Sequence, residues 1–113
     1  MDRNKAIVNS VLDLVGETPI VKLHSITKDL QGEFFAKLES FNPGQSAKDR
    51  IALHIIENAE KKGILTPGDT IVETTSGNTG FSLAMISLVK GYRCILAVSD
   101  KSSKNKIDVL NTM

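Results

Sequence analysis

The chain is 113 residues long, with 41% hydrophobic and 24% charged residues, a formal net charge of +1 and one cysteine. These values fit one domain with a buried core, and they exclude the strongly basic surface that nucleic acids or anionic membranes select. One cysteine and two histidines exclude an internal disulfide and predict no metal site, and the lack of a leader or a long apolar run predicts a cytoplasmic chain.

The first third of the chain predicts one helix followed by two strands. Apolar residues at helical spacing predict a helix over residues 6–15, which Gly16 ends. Residues 20–23 and 33–38 then predict two strands, and the polar connection between them is short enough for antiparallel pairing.

After Pro43 and Gly44, helices and strands alternate. A helix is predicted over residues 47–62, with an apolar face formed by Ile51, Ile55 and Ala59. The remaining elements are predicted as a strand over 70–74, a helix over 79–90, a strand over 93–99 and a helix from 104. The helix over 79–90 is apolar on nearly every side, and the strand over 93–99 is typical of a parallel strand covered on both faces. From residue 33 onward, this order predicts parallel crossovers in an open, mostly parallel α/β sheet with flanking helices.

The string SFNPGQSAKDR, residues 40–50, contains the first candidate reactive group. Ser46 is the expected N-cap, and Asp49 completes a capping-box pattern, so that Asp49 and Arg50 are expected to cap and pair locally. Lys48 then lies in the first turn, where a positive charge is disfavoured by about 0.3–1 kcal/mol. That bias favours an amine that attacks a carbonyl, although a solvated surface lysine is the alternative interpretation.

A glycine-punctuated polar loop, residues 75–80, follows the strand over 70–74 and begins the next helix. In open α/β sheets, ligands collect at this carboxyl end of the strands, and a helix N-terminus there offers free N–H groups to an anion. The loop provides short polar side chains and two glycines: Thr75, Ser76, Gly77, Asn78, Thr79 and Gly80. The alternative interpretation is an ordinary strand-to-helix turn capped by threonine or serine. Because Lys48 also begins a helix after a strand, the two helix starts are predicted to share one anionic ligand.

Four strings, in order and at matching spacing, resemble the β-family (fold type II) of pyridoxal-phosphate enzymes, especially the cysteine synthase and cystathionine β-synthase family. They are GETP at residues 16–19, ESFNPGQSAKDR at 39–50, ETTSGNTG at 73–80 and KGYRC at 90–94.

The resemblance implies a function for each candidate residue. Lys48 is the lysine that binds pyridoxal 5'-phosphate covalently and later moves the substrate α-proton. Asn78 resembles the residue that hydrogen-bonds the ring hydroxyl oxygen of the cofactor. The substrate carboxylate is bound by the loop residues Thr75, Ser76, Gly77, Asn78 and Thr79.

The implied reaction is β-replacement on serine or O-acetylserine with sulfide or another thiol, which gives cysteine or cystathionine. The alternatives are another reaction of the family, such as serine deamination, and a non-catalytic binding or interaction module. The resemblance also implies a homodimer. Because the family needs roughly three hundred residues, the chain is expected to be a truncated N-terminal part. Residues 1–43 are then the edge of a large domain, and residues 44–113 are most of a small one.

Overall fold

The computed structural model describes residues 7–75 and 77–113. Among these residues, a short N-terminal turn and two strands are followed by three α-helices that alternate with two further strands. The strands are β1 (Ile20–Leu23), β2 (Phe34–Lys37), β3 (Thr70–Thr74) and β4 (Arg93–Ala97). The helices are α1 (Lys48–Lys61), α2 (Asn78–Lys90) and α3 (Lys104–Thr112). No helix within these residues is long and apolar enough to cross a membrane.

The helix predicted over residues 6–15 is wrong, since the described part of this segment contains only a 3-10 turn at Val11–Leu14. The backbone of Ser10 is extended, and its hydroxyl accepts a hydrogen bond from the Leu12 N–H at 3.1 Å. The Asp13 carboxylate accepts in return from the Ser10 N–H at 3.1 Å. This capping box starts the turn at residue 11, and Gly16, at φ 89°, ends it after a single turn.

The strands form two separate two-stranded sheets within the described residues. Strands β1 and β2 pair antiparallel, from Ile20 opposite Lys37 to Leu23 opposite Phe34, which confirms the predicted pairing. Strands β3 and β4 pair parallel around α2, as predicted. A parallel crossover from β2 through α1 to β3 is wrong, because β2 hydrogen-bonds its sequence neighbour β1 instead.

Helix α2 lies at the centre of the core and contacts α1 and both strands of the parallel sheet. The buried cluster joins Ala52 and Ile56 of α1 to Leu83, Met85 and Ile86 of α2. Ile86 is completely inaccessible to solvent. The prediction that α2 belongs inside is therefore confirmed.

Helix α1 buries a different face from the one that its isoleucines suggested. Ile51 and Ile55 are 48% and 57% exposed, whereas Asp49, Ala52 and Ile56 are buried. These three lie at i, i+3 and i+7, so they form one stripe along the helix. Because Asp49 hydrogen-bonds Ser82 of α2, this stripe faces α2. Strand β4 is likewise covered on one face only, since Ile95 is 58% exposed.

Candidate active site

Lys48 is the first residue of α1, and its side chain is exposed. Its backbone N–H donates to the Ser46 hydroxyl at 3.2 Å. The cap residue itself is Ala47, which makes no side-chain capping bond. The predicted capping box is therefore wrong, although Lys48 does lie at the positive end of the helix dipole.

The carboxyl group of Asp49 connects the starts of α1 and α2. It is 0% exposed, and it accepts one hydrogen bond from the Gly44 N–H at 2.5 Å and another from the Ser82 hydroxyl at 2.5 Å. The same hydroxyl lies 3.0 Å from the carbonyl oxygen of Asn78, the first residue of α2. The prediction that Asp49 caps and pairs locally is confirmed for its bond to Gly44 and wrong for its bond to Ser82, which bridges two helices. As a result, Lys48 and Asn78 begin two adjacent helices.

The loop between β3 and α2 is closed by the side chain of Thr75. Its Oγ1 accepts hydrogen bonds from the Gly77 N–H at 3.2 Å and from the Gly80 N–H at 3.1 Å. Thr75 thus satisfies amide groups at the helix start, as in the alternative interpretation of a threonine-capped turn. A Cβ on Gly80 would lie 2.2 Å from Thr75 Cγ2, so this internal contact requires glycine at residue 80. Ser76 lies outside the described residues.

A cavity of about 480 Å³ opens beside the two helix starts. Of the predicted site residues, the exposed Asn78 and its neighbour Gly77 line this cavity. Lys48, Thr75 and Thr79 are not among its lining residues. Two of the lining residues, Gly44 and Gln45, lie in the loop that leads to Lys48 at the start of α1. The other lining residues come from α2 and α3: Phe81, Asn105, Lys106, Val109 and Leu110.

Sequence reasoning missed the contribution of α3 to this cavity. Lys106 Nζ lies 4.0 Å from the position that a Cβ on Gly77 would occupy, so it places a cation beside the start of α2. The available signal was position, because the polar segment that leads into α3 follows the carboxyl end of β4. Lys106 therefore met the same criterion as the loop at residues 75–80.

A second polar cluster connects the N-terminal strings to α1. Arg50 donates to Glu39 through Nε at 2.9 Å and Nη2 at 3.0 Å, and the Thr18 hydroxyl donates to Glu39 at 2.8 Å. Asn42 donates to Glu39 through Nδ2 at 2.9 Å and accepts from the Gly16 N–H at 2.8 Å. The Arg50 guanidinium, followed by these neutral donors, lowers the pKa of Glu39 to about 2. The prediction that Arg50 pairs locally is therefore wrong, because its partner Glu39 lies outside α1.

Comparison with known proteins places this geometry in context. The family described as "Pyridoxal-phosphate dependent enzyme" matches residues 11–113. Cystathionine beta-synthase from Oryctolagus cuniculus is 49% identical over 113 residues, and cysteine synthase from Staphylococcus aureus is 45% identical over 103 residues. The crystal structure of a hydrogen sulfide-producing enzyme from Fusobacterium nucleatum superimposes with a TM-score of 0.90 at 45% identity.

These relatives are all longer proteins. The matches cover 98%, 91% and 96% of the present chain, but 20%, 33% and 36% of the respective relatives. The chain therefore spans between a fifth and about a third of the length of the proteins that it resembles. The structural match establishes an α/β fold of the same type over nearly the whole chain.

Proposed function

The chain belongs to the family of pyridoxal-phosphate-dependent enzymes, and from that premise we propose that its residues serve a β-replacement reaction. In this proposal the substrate is serine or O-acetylserine, and the nucleophile is sulfide or a thiol such as homocysteine. The names of two relatives, a cystathionine beta-synthase and a cysteine synthase, support this choice of chemistry. We further propose the division at residue 43 into an edge segment and a small domain.

The residues present fit the cofactor of the family. Lys48 offers an amine at a helix start, Asn78 offers an amide at the adjacent helix start, and Lys106 adds a cation beside Gly77. The adjoining cavity of about 480 Å³ is within the usual size range of small-molecule sites, about 300–1,000 Å³. The observation that carries the proposal is the hydrogen bond between Asp49 and Ser82, which joins the helices that begin at Lys48 and Asn78, next to a cavity that Asn78 lines.

Pyridoxal phosphate, when bound, supplies an aldehyde for a lysine amine and a ring that accepts electrons from the substrate. In the proposal, Lys48 Nζ would hold the cofactor, and the same amine would move the proton at the substrate Cα. The Asn78 amide donates a hydrogen bond to the ring hydroxyl oxygen. Thr75, Gly77, Asn78 and Thr79, in the loop before α2 and in its first turn, would bind the substrate carboxylate, which the positive end of the helix dipole favours.

The proposal is tested by identifying the lysine that pyridoxal phosphate labels. The chain is mixed with pyridoxal phosphate, reduced with borohydride and digested, and the labelled peptides are identified by mass spectrometry. We expect the label on Lys48 in preference to the other lysines and its loss in Lys48→Arg. Lys61→Arg is the matched control, because Lys61 is an exposed residue at the opposite end of the same helix. Label distributed evenly over the lysines would contradict the proposal.

The reaction is tested by supplying serine or O-acetylserine with sulfide or homocysteine and identifying the products. Cysteine or cystathionine that disappears in Lys48→Arg supports β-replacement. Pyruvate as the principal product would instead support deamination. Neither product, together with no selective label on Lys48, would support a non-catalytic binding module.

A further inference from the structure

The environment of Asp49 is unusual for an acidic residue. Its side chain is 0% exposed, and no basic side chain forms an ion pair with it among residues 7–75 and 77–113. Burial of an acidic group without a cation is unfavourable unless hydrogen bonds compensate, and here both oxygens accept hydrogen bonds at 2.5 Å. A buried acidic group of this kind is expected to have a structural role, and the position of Asp49 in the chain indicates which one.

Asp49 is next to Lys48 in sequence, and its two partners fix two different segments. The bond to the Gly44 N–H closes residues 44–49 and thereby sets the start of α1. The bond to Ser82 reaches across to α2, where Ser82 lies one turn after Asn78 and within 3.0 Å of its carbonyl oxygen. The contact at Gly44 is tight, since a Cβ there would lie 2.1 Å from Asp49 Oδ1.

We infer that Asp49 is a positioning residue, which through Gly44 and Ser82 holds the helix start that bears Lys48 in register with the one that bears Asn78. The inference rests on the proposed function, in which those two side chains act on one ligand. It assigns no contact with the ligand to Asp49 itself. Loss of either hydrogen bond should therefore shift the helix start at the other end of the bridge.

The side-chain chemistry predicts different results for three substitutions. Asp49→Ala leaves the Gly44 N–H and the Ser82 hydroxyl without their acceptor. Asp49→Asn keeps the bridge, because its oxygen accepts from Gly44 while its amide donates to the Ser82 oxygen, whose proton then points to the carbonyl of Asn78. Ser82→Ala removes only the bond between the helices. A role in positioning therefore predicts that asparagine rescues what alanine loses.

Ser82→Ala is the sharpest test, because within the described residues the Ser82 hydroxyl hydrogen-bonds Asp49 and the Asn78 carbonyl and not Lys48. The full chain is labelled with pyridoxal phosphate and borohydride, and the labelling rate of Lys48 is compared with hydrogen exchange of the Gly44 amide. We expect Ser82→Ala to lower the Lys48 rate and to speed Gly44 exchange, each by about tenfold, the effect expected when a hydrogen bond to a charged group is lost. Asp49→Asn should remain near the wild type in both.

Ser87→Ala is the matched control. Ser87 is a second buried serine on α2, 1% exposed, and its hydroxyl has no hydrogen-bond partner among the described residues. The inference is overturned if Ser82→Ala and Ser87→Ala give the same Lys48 rate and the same Gly44 exchange. It is also overturned if Asp49→Asn is as impaired as Asp49→Ala, because the negative charge would then be the essential feature.

The two readouts separate this inference from the proposed function. Hydrogen exchange at Gly44 requires no cofactor. It therefore reports the coupling, that is, the link between the two helix starts through Asp49, even if Lys48 is not labelled selectively. Faster Gly44 exchange in Ser82→Ala without selective labelling of the wild type would leave the coupling intact and refute the proposed function. Selective labelling of Lys48, with both the labelling rate and the Gly44 exchange unchanged in Ser82→Ala, would support the proposed function and refute the coupling.

Discussion

Replacing Gly80 with alanine should destabilise the chain even though alanine is the better helix former. Gly80 is the third residue of α2, and a Cβ there would lie 2.2 Å from Thr75 Cγ2 and 3.3 Å from Leu96 Cδ1. The threonine cannot rotate away freely, because its hydroxyl accepts hydrogen bonds from the Gly77 and Gly80 amides. Relief of the clash therefore breaks the closure of the loop.

The expected magnitude follows from three contributions. Overpacking of a buried site costs about 1–3 kcal/mol. Loss of the two hydrogen bonds to Thr75 adds about 0.5–1.5 kcal/mol each. The higher helix propensity of alanine offsets about 1 kcal/mol. The free energy of unfolding should thus fall by about 1–5 kcal/mol, which is measurable as a lower urea midpoint at an unchanged slope.

The double substitution Thr75→Ser, Gly80→Ala provides the control. Serine removes the clashing methyl group and keeps the hydroxyl that both amides need, so it should restore part of the lost stability, although its oxygen stays 3.2 Å from the added Cβ. The reasoning is refuted if Gly80→Ala alone is as stable as the wild type, or if the serine provides no rescue. Either result would show that the methyl group of Thr75 does not limit residue 80.

Two further predictions concern charge and packing. The pKa of Glu39 is about 2 in the folded chain against an ordinary value of 4.5, so its contribution to stability is fully present above pH 4.5 and is lost as the pH falls toward 2. Glu39→Gln should remove this part of the pH dependence of the free energy of unfolding, measured by urea titration at several pH values. If the variant keeps the full wild-type pH dependence, the lowered pKa of Glu39 is contradicted. Ile56→Ala should lower the free energy of unfolding by about 2–5 kcal/mol, because Ile56 is 2% exposed. Ile55→Ala, at a residue 57% exposed, should change it by about 0.5 kcal/mol or less, and equal losses would show that α1 is oriented differently.

Much of the secondary structure follows from local sequence signals. Gly91, at φ 78°, ends α2 where predicted, because a left-handed residue after a helix favours glycine. Strand β3 spans the predicted residues 70–74 between a turn and a polar loop. The first helix failed because the apolar spacing over residues 6–15 said nothing about the capping box of Ser10 and Asp13, which begins the turn late.

Individual residues of the candidate site were predictable from the sequence, but their spatial arrangement was not. Lys48 and Asn78 were both expected at helix starts, and both lie there. The ligand-binding role of Thr75 stays a prediction, since its hydroxyl accepts hydrogen bonds within the loop itself. Lys106 was missed although its segment follows the carboxyl end of β4, because its distance from Gly77 depends on tertiary packing and not on a local pattern.

The sequence alone determined where the chain turns and, to within one residue, where each α-helix begins, because glycine and proline restrict the backbone locally. It also determined the family, through strings whose order and spacing identify them without coordinates. Only the tertiary structure decided which face of α1 is buried and what Asp49 binds. Those outcomes depend on groups about thirty residues apart, and only packing brings such groups within hydrogen-bond distance.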